Sequence, residues 1–149
     1  MLEHAISPLK KYARFQGRAR RLEYWSFTLL CVCVYLVLTI PAFFLRGTGP
    51  FIDPAAPLGI NPAAVPFIGL MALFGLAVMI PGIAVAVRRL HDRNMSGWWY
   101  LGFALMGMIP FVGWIANIAF VVILFLPGTP GPNRFGDDPR DPMPADVFA

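Results

Sequence analysis

The sequence predicts an all-α integral membrane protein, a helical bundle of three transmembrane segments preceded by an N-terminal amphipathic interfacial helix. Three observations lead there. Of 149 residues, 58% are apolar and 13% charged, with a mean hydropathy of +0.65, whereas soluble domains run near ~45–50% apolar and ~25% charged. The charges leave three long stretches untouched, 24–45, 54–87 and 94–133. Each is at least as long as the ~20 residues that a helix needs to cross about 30 Å of hydrocarbon. Backbone groups in lipid must be bonded within their own segment, so these stretches read as helices. The composition argues against a soluble enzyme, a disordered tail or a disulfide-stapled secreted domain.

The chain reads as one membrane domain, 1–149. It opens on a basic arm, 1–23. Ser7-Pro8 looks like a helix start, with a capping hydroxyl and then proline at the first helical position, and Gly17 looks like its stop. On that helix Leu9, Tyr12, Ala13 and Gln16 share one side, and Lys10, Lys11 and Arg14 the other. Such a helix suits the headgroup plane, where anionic lipid favours each cation by about 1 kcal/mol. No cleaved signal peptide is expected, because the apolar run that follows is too long for an h-region. Span 1 covers 24–45. Its Cys31 and Cys33 would point about 200° apart on a helix and read as small apolar filler.

A Pro/Gly loop, 46–61, leads to span 2, 62–87, and a basic turn, 88–97. Segment 3, 98–126, has 29 residues and would reach ~43 Å as a straight helix, too long for an untilted crossing. Pro110 interrupts it. Two readings fit: one tilted, kinked span, or two half-helices that dip in and return. The remainder, 127–149, reads as a flexible Pro/Gly/Asp tail. Positive residues stay cytoplasmic. Three crossings with the N-terminus inside put nine Lys and Arg inside and three outside, and a returning third segment makes it eleven to one. Both place the N-terminus in the cytoplasm, and only the side of the tail differs.

Three polar motifs carry what chemistry there is. The first is Phe15-Gln16-Gly17-Arg18-Ala19-Arg20-Arg21-Leu22-Glu23-Tyr24-Trp25. Tyr24 and Trp25 sit at headgroup depth. Glu23 borders hydrocarbon, where a lone carboxylate is costly, so an arginine partner is expected from Arg20, Arg88 or Arg89. The second runs from Arg88 to Trp99 as RRLHDRNMSGWW. Arg88 and Arg89 suit a helix C-terminus, Asn94 suits the left-handed turn that ends a helix, Ser96 suits a cap, and Trp98 and Trp99 enter the aromatic belt. His91-Asp92 is the pair a turn explains least. The third runs from Pro127 to Pro139 as PGTPGPNRFGDDP, with Asn133, Arg134, Gly136, Asp138 and Pro139 in a turn-rich exit.

Together the motifs resemble the bacterial inner-membrane family called domain of unknown function 805, over roughly 15–139. One departure is Asn94, where a glycine is common; both tolerate the left-handed conformation. The resemblance implies a small multi-pass plasma-membrane protein and no particular activity. The sequence shows no metal-ligand spacing, no dinucleotide glycine pattern and no nucleophile motif, so neither metal nor cofactor is expected.

The leading functional expectation is a non-catalytic protein. It would bind a protein partner or anionic lipid headgroups, and not nucleic acid, through Arg18, Arg21, Glu23, Arg88, Arg89, His91 and Asp92. A transporter component using Asn117, Pro81 and Pro110 is a second reading. A membrane-interface enzyme, with His91 as base oriented by Asp92, is a third. A bundle this thin, with Gly82 and Ala86 at small-xxx-small spacing, also leaves surface for a homo-oligomer or a membrane-protein partner.

Overall fold

In a computed structural model, which describes residues 2–47 and 61–140, the described chain is helical and contains no strand. Five helices follow in order: α1 (Leu2–Lys10), α2 (Arg21–Gly47), α3 (Val65–Asp92, entered through the 3₁₀ turn Pro62–Ala64), α4 (Trp98–Gly107) and α5 (Val112–Phe125). Most of the loop expected at 46–61 lies outside the described residues, as does the tail beyond 140.

α2 and α3 form the long antiparallel pair. Glu23 meets Arg88, Phe27 meets Gly82, and Tyr35 meets Phe74 and Gly75 along their length. At 27 and 28 residues they reach about 40 Å. These two helices are long and apolar enough to cross a membrane. The helices come close at Gly75, where a Cβ would lie 2.8 Å from the Tyr35 hydroxyl and push the end of that side chain aside. Little apolar surface is hidden between the helices, with Phe27 and Val85 buried alongside Ala19. Leu29, Leu36, Val37, Leu73 and Leu76 stand exposed, as lipid-facing residues do.

The third apolar segment is not one long helix. α4 and α5 have 10 and 14 residues, or about 15 and 21 Å, each short of ~30 Å. They fold back on one another. Phe103 packs on Phe120 with ring centroids 5.2 Å apart, and a Cβ on Gly113 would sit 2.6 Å from the Gly107 carbonyl. The reversal is made at Pro110-Phe111. Phe111 has φ 64° and ψ −49°, and the Val112 N–H donates to the Pro110 carbonyl at 2.8 Å. That is a γ-turn of the strained, positive-φ kind. Of the two readings of segment 3, the helices take the folded-back one, two short helices side by side after the two long ones.

Two further expectations are corrected. The N-terminal helix spans Leu2–Lys10, so Ser7-Pro8 lies inside it and Gly17 belongs to the loop beyond. The reason is tertiary. Ala5 and Pro8, three residues apart, form the buried face of α1, and the Ser7 hydroxyl donates to the Glu23 carboxylate at 3.2 Å instead of capping a helix. The tail is not loose over 127–140, because it is bonded to the end of α3, as described next.

Candidate functional site

The starts of α2 and α4 and the ends of α3 and α5 gather at one end of the molecule, and the three polar motifs meet there. Asp92, the last residue of α3, is the centre, with no solvent exposure. A buried carboxylate must be paired or it would cost several kcal/mol. Arg18 donates Nε to Oδ1 at 3.0 Å, with Nη2 at 2.9 Å. Arg89, one helical turn before Asp92 and equally buried, donates Nη1 to Oδ2. Arg140 from the tail stands 3.7 Å from the same oxygen.

The same arginines hold the tail and the end of the hairpin. A helix leaves its last carbonyls unbonded and carries partial negative charge there. At the end of α5, Arg89 donates to the carbonyls of Leu124, at 3.1 Å, and Leu126. Arg21 reaches Phe125 O at 3.4 Å, and Arg93 reaches Pro127 O at 2.5 Å. Arg18 donates to the carbonyls of Thr129 and Gly131, both at 2.6 Å. The Thr129 N–H in turn donates to Asp92 O at 2.9 Å. Gly128 passes so close to the Asp92 carboxylate that a Cβ would overlap it. Beyond, Asn133 closes a turn with Gly136 (φ 133°) and donates Nδ2 to His91 O at 3.0 Å. Arg134 donates to Asn94 O at 3.0 Å and lies over the Phe135 ring. The Asp138 carboxylate accepts from the N–H groups of Arg140 and Gly131 at 3.0 and 3.2 Å. Those bonds hold its pKa below the usual carboxylate range, the Arg140 N–H first. Pro139 follows it, half-buried.

Glu23 finds the partner expected of it. Arg88 Nη1 lies 2.9 Å from Oε1, joined by the Ser7 hydroxyl and, at 3.7 Å, Lys11. Arg20 makes no such contact. Arg88 is 2% exposed, and its Nε and Nη2 have no partner among the described residues. Asn94 takes the expected left-handed turn (φ 59°), with the Asn94 and Met95 N–H groups returning to His91 O and Leu90 O. The Ser96 hydroxyl accepts from the Trp98 N–H at 3.5 Å. Trp98 and Trp99 are exposed, Tyr24 and Trp25 half-buried, and Trp25 stacks on Phe125 at 3.9 Å.

The side chains of His91 and Asp92 turn to different partners. The Asp92 carboxylate is turned to arginines. His91 stacks on Phe135, 4.0 Å and 3° from parallel, with Nδ1 3.2 Å from Gly17 O. A carbonyl can only accept, so Nδ1 carries the proton in that bond. Among the described residues no group of three His, Cys, Asp or Glu converges as metal ligands would. Of the seven binding residues expected, Arg18, Glu23, Arg88, Arg89 and Asp92 are buried, His91 is half-buried and Arg21 is exposed. Reading the sequence missed Ser7, Gly128, Thr129 and Phe135 as parts of this assembly. The glycine and threonine of Pro-Gly-Thr were a signal, since a rigid exit has no need of a threonine.

Fold and site together define a small helical membrane protein whose charged groups are knotted at one end. Residues 12–137 match the family described as protein of unknown function (DUF805), and the chain belongs to that family. It is 41% identical over 135 residues to the inner membrane protein YhaH of Escherichia coli (strain K12), covering 91% of this chain and 94% of that one. It is 36% identical over 135 residues to the inner membrane protein YhaI of the same strain, covering 91% and 93%. No solved structure matches it.

Proposed function

We propose that this is a non-catalytic inner-membrane protein that binds anionic lipid headgroups from the cytoplasmic side. In this reading α2 and α3 cross the bilayer, and α4–α5 enters and leaves on the cytoplasmic side with the N-terminus and the tail. The return of the hairpin supports the orientation. It sets Arg134 and Arg140 beside the arginines of the first two motifs, so eleven of the twelve Lys and Arg belong to one end and Arg46 lies at the other. That is the strong asymmetry that cytoplasmic loops carry.

One observation carries the choice of ligand. Most of the arginines of the motifs are engaged inside the knot, whereas Lys10, Arg14 and Arg20 are exposed and form no ion pair among the described residues. They stand in sequence among exposed Leu9, Tyr12, Phe15 and Leu22. Cations interleaved with exposed apolar side chains suit a headgroup–acyl boundary. At about 1 kcal/mol per cation, neutralising all three weakens retention of anionic lipid by roughly a hundredfold. The measurement is the number of phosphatidylglycerol molecules retained by full-length protein from mixed-lipid nanodiscs, by native mass spectrometry. Lys10→Gln/Arg14→Gln/Arg20→Gln should lose the anionic preference with the fold intact. Equal retention by parent and variant overturns the reading.

A further inference from the structure

The one side-chain amide of the α4–α5 hairpin, away from the charged knot, is Asn117 on α5. It lies nine residues before Leu126, about 13 Å along the helix and so near the middle of a ~30 Å hydrocarbon core. That depth rests on the membrane-entering hairpin proposed above. Asn117 satisfies one donor locally, Nδ2 donating to Gly113 O at 2.8 Å. Its second N–H and its carbonyl oxygen have no partner among the described residues, and the residue is exposed. An unbonded amide facing hydrocarbon is unfavourable.

Beside it the hairpin tip holds an open recess of about 280 Å³, lined by Asn117, Gly107, Pro110, Phe111, Gly113 and Trp114. That exceeds the ~150 Å³ cavity that accommodates benzene. Phe111 and Trp114, at its rim, are 87% and 78% exposed.

We infer that the hairpin tip is the contact through which a second copy of this chain binds within the membrane, with the two Asn117 amides paired. A primary amide is self-complementary. Each copy offers the N–H left after the Gly113 bond and the free carbonyl oxygen, so a two-fold axis closes two hydrogen bonds and leaves no amide group bare. A two-fold contact uses the same patch on both subunits, and the patch supplies both halves of the match: recess and exposed aromatic, donor and acceptor. Interhelical bonds of this kind are the usual adhesive between helices in lipid, where apolar surface alone provides little drive.

The test keeps Asn117 in place. In a Cys31→Ala/Cys33→Ala background, Val121→Cys puts a thiol one turn from Asn117 at an exposed position, and Val37→Cys puts one on the lipid face of α2. In oxidised inner-membrane vesicles, Val121→Cys should give a disulfide-linked dimer and Val37→Cys should not. Adding Asn117→Leu should lower the dimer yield about three- to thirty-fold, in line with the measured range for such bonds, and Asn117→Gln should restore most of it. Equal yields from the two thiol positions, or a yield that Asn117→Leu leaves unchanged, overturn the inference, as does crosslinking only to a different protein. Lipid retention by the Lys10/Arg14/Arg20 variant reads the other proposal separately, since none of those residues is on the hairpin.

Discussion

Where α3 ends, arginine and aspartate fill the interior; where α4 turns into α5, phenylalanine and tryptophan stand outside it. Arg88, Arg89 and Asp92 are among the largest fully buried side chains of the molecule, while Phe111 and Trp114 are almost wholly exposed. In water this arrangement would be inverted. In lipid, apolar side chains gain little by leaving the surrounding acyl chains, and charged ones must bring their partners with them. The difference teaches that this fold is specified mainly at its polar end. Substitutions there should be costly, and substitutions of the exposed aromatic residues at the tip nearly free or favourable to the fold of the single chain.

Asp92→Ala tests the comparison hardest. It leaves buried Arg89 without its carboxylate partner and Arg18 with only Asp138, 3.9 Å away. Removing one member of a buried charge pair costs about 3–5 kcal/mol, and here one carboxylate serves two buried arginines. The expected outcome is a large fall in the thermal midpoint in detergent, or failure to accumulate in the membrane. A variant as stable as its parent would mean that the knot is decoration on a fold held by its apolar helices.

Gly128→Ala is the next largest. Its methyl group would overlap the Asp92 carboxylate, so either the tail lifts or the knot shifts, at a cost of about 1–3 kcal/mol for overpacking. Trypsin reports which, because Arg134 and Arg140 lie on the docked segment. Faster cleavage at both sites, with the rest of the chain intact, shows that the tail is a separable clasp. Unchanged cleavage with a lower melting point shows that the knot yields before the tail does.

How much of this could be read beforehand follows the same division. Lipid as solvent, helices over 24–45 and 62–87, the Asn94 turn and the need of Glu23 for an arginine follow from composition, period and the cost of a lone carboxylate, all of which are local; that the arginine is Arg88 rather than Arg20 or Arg89 is tertiary. The returning hairpin was one of two open readings, because Pro110 is equally good at kinking a helix and ending one. What decides is the Phe111 γ-turn, and a phenylalanine gives no hint of positive φ. The N-terminal helix was misplaced by a good local rule. Ser-Pro starts helices when the serine has nothing better to bond, and here Glu23, sixteen residues on, competes for its hydroxyl. The convergence on Asp92 was out of reach, since it joins residues 18, 89, 92 and 140 and no periodicity links them.

Phe111→Gly gives the smallest effect and probes the other half of the comparison. The native φ of 64° and ψ of −49° lie in a region that costs a side-chain-bearing residue about 1–3 kcal/mol, and glycine enters it freely. Glycine also gains freedom in the unfolded chain, which takes back roughly 0.5–1 kcal/mol. The lost phenylalanine ring sacrifices little packing, being 87% exposed. The balance is a stabilisation of about 1 kcal/mol, read as a raised thermal midpoint in detergent. Deleting an aromatic ring from the hairpin turn should therefore strengthen the protein, whereas deleting one small carboxylate from the other end unfolds it. A loss on Phe111→Gly in the detergent-solubilised monomer, where no second copy covers the ring, would instead mean that the tip is a second specified region of the fold.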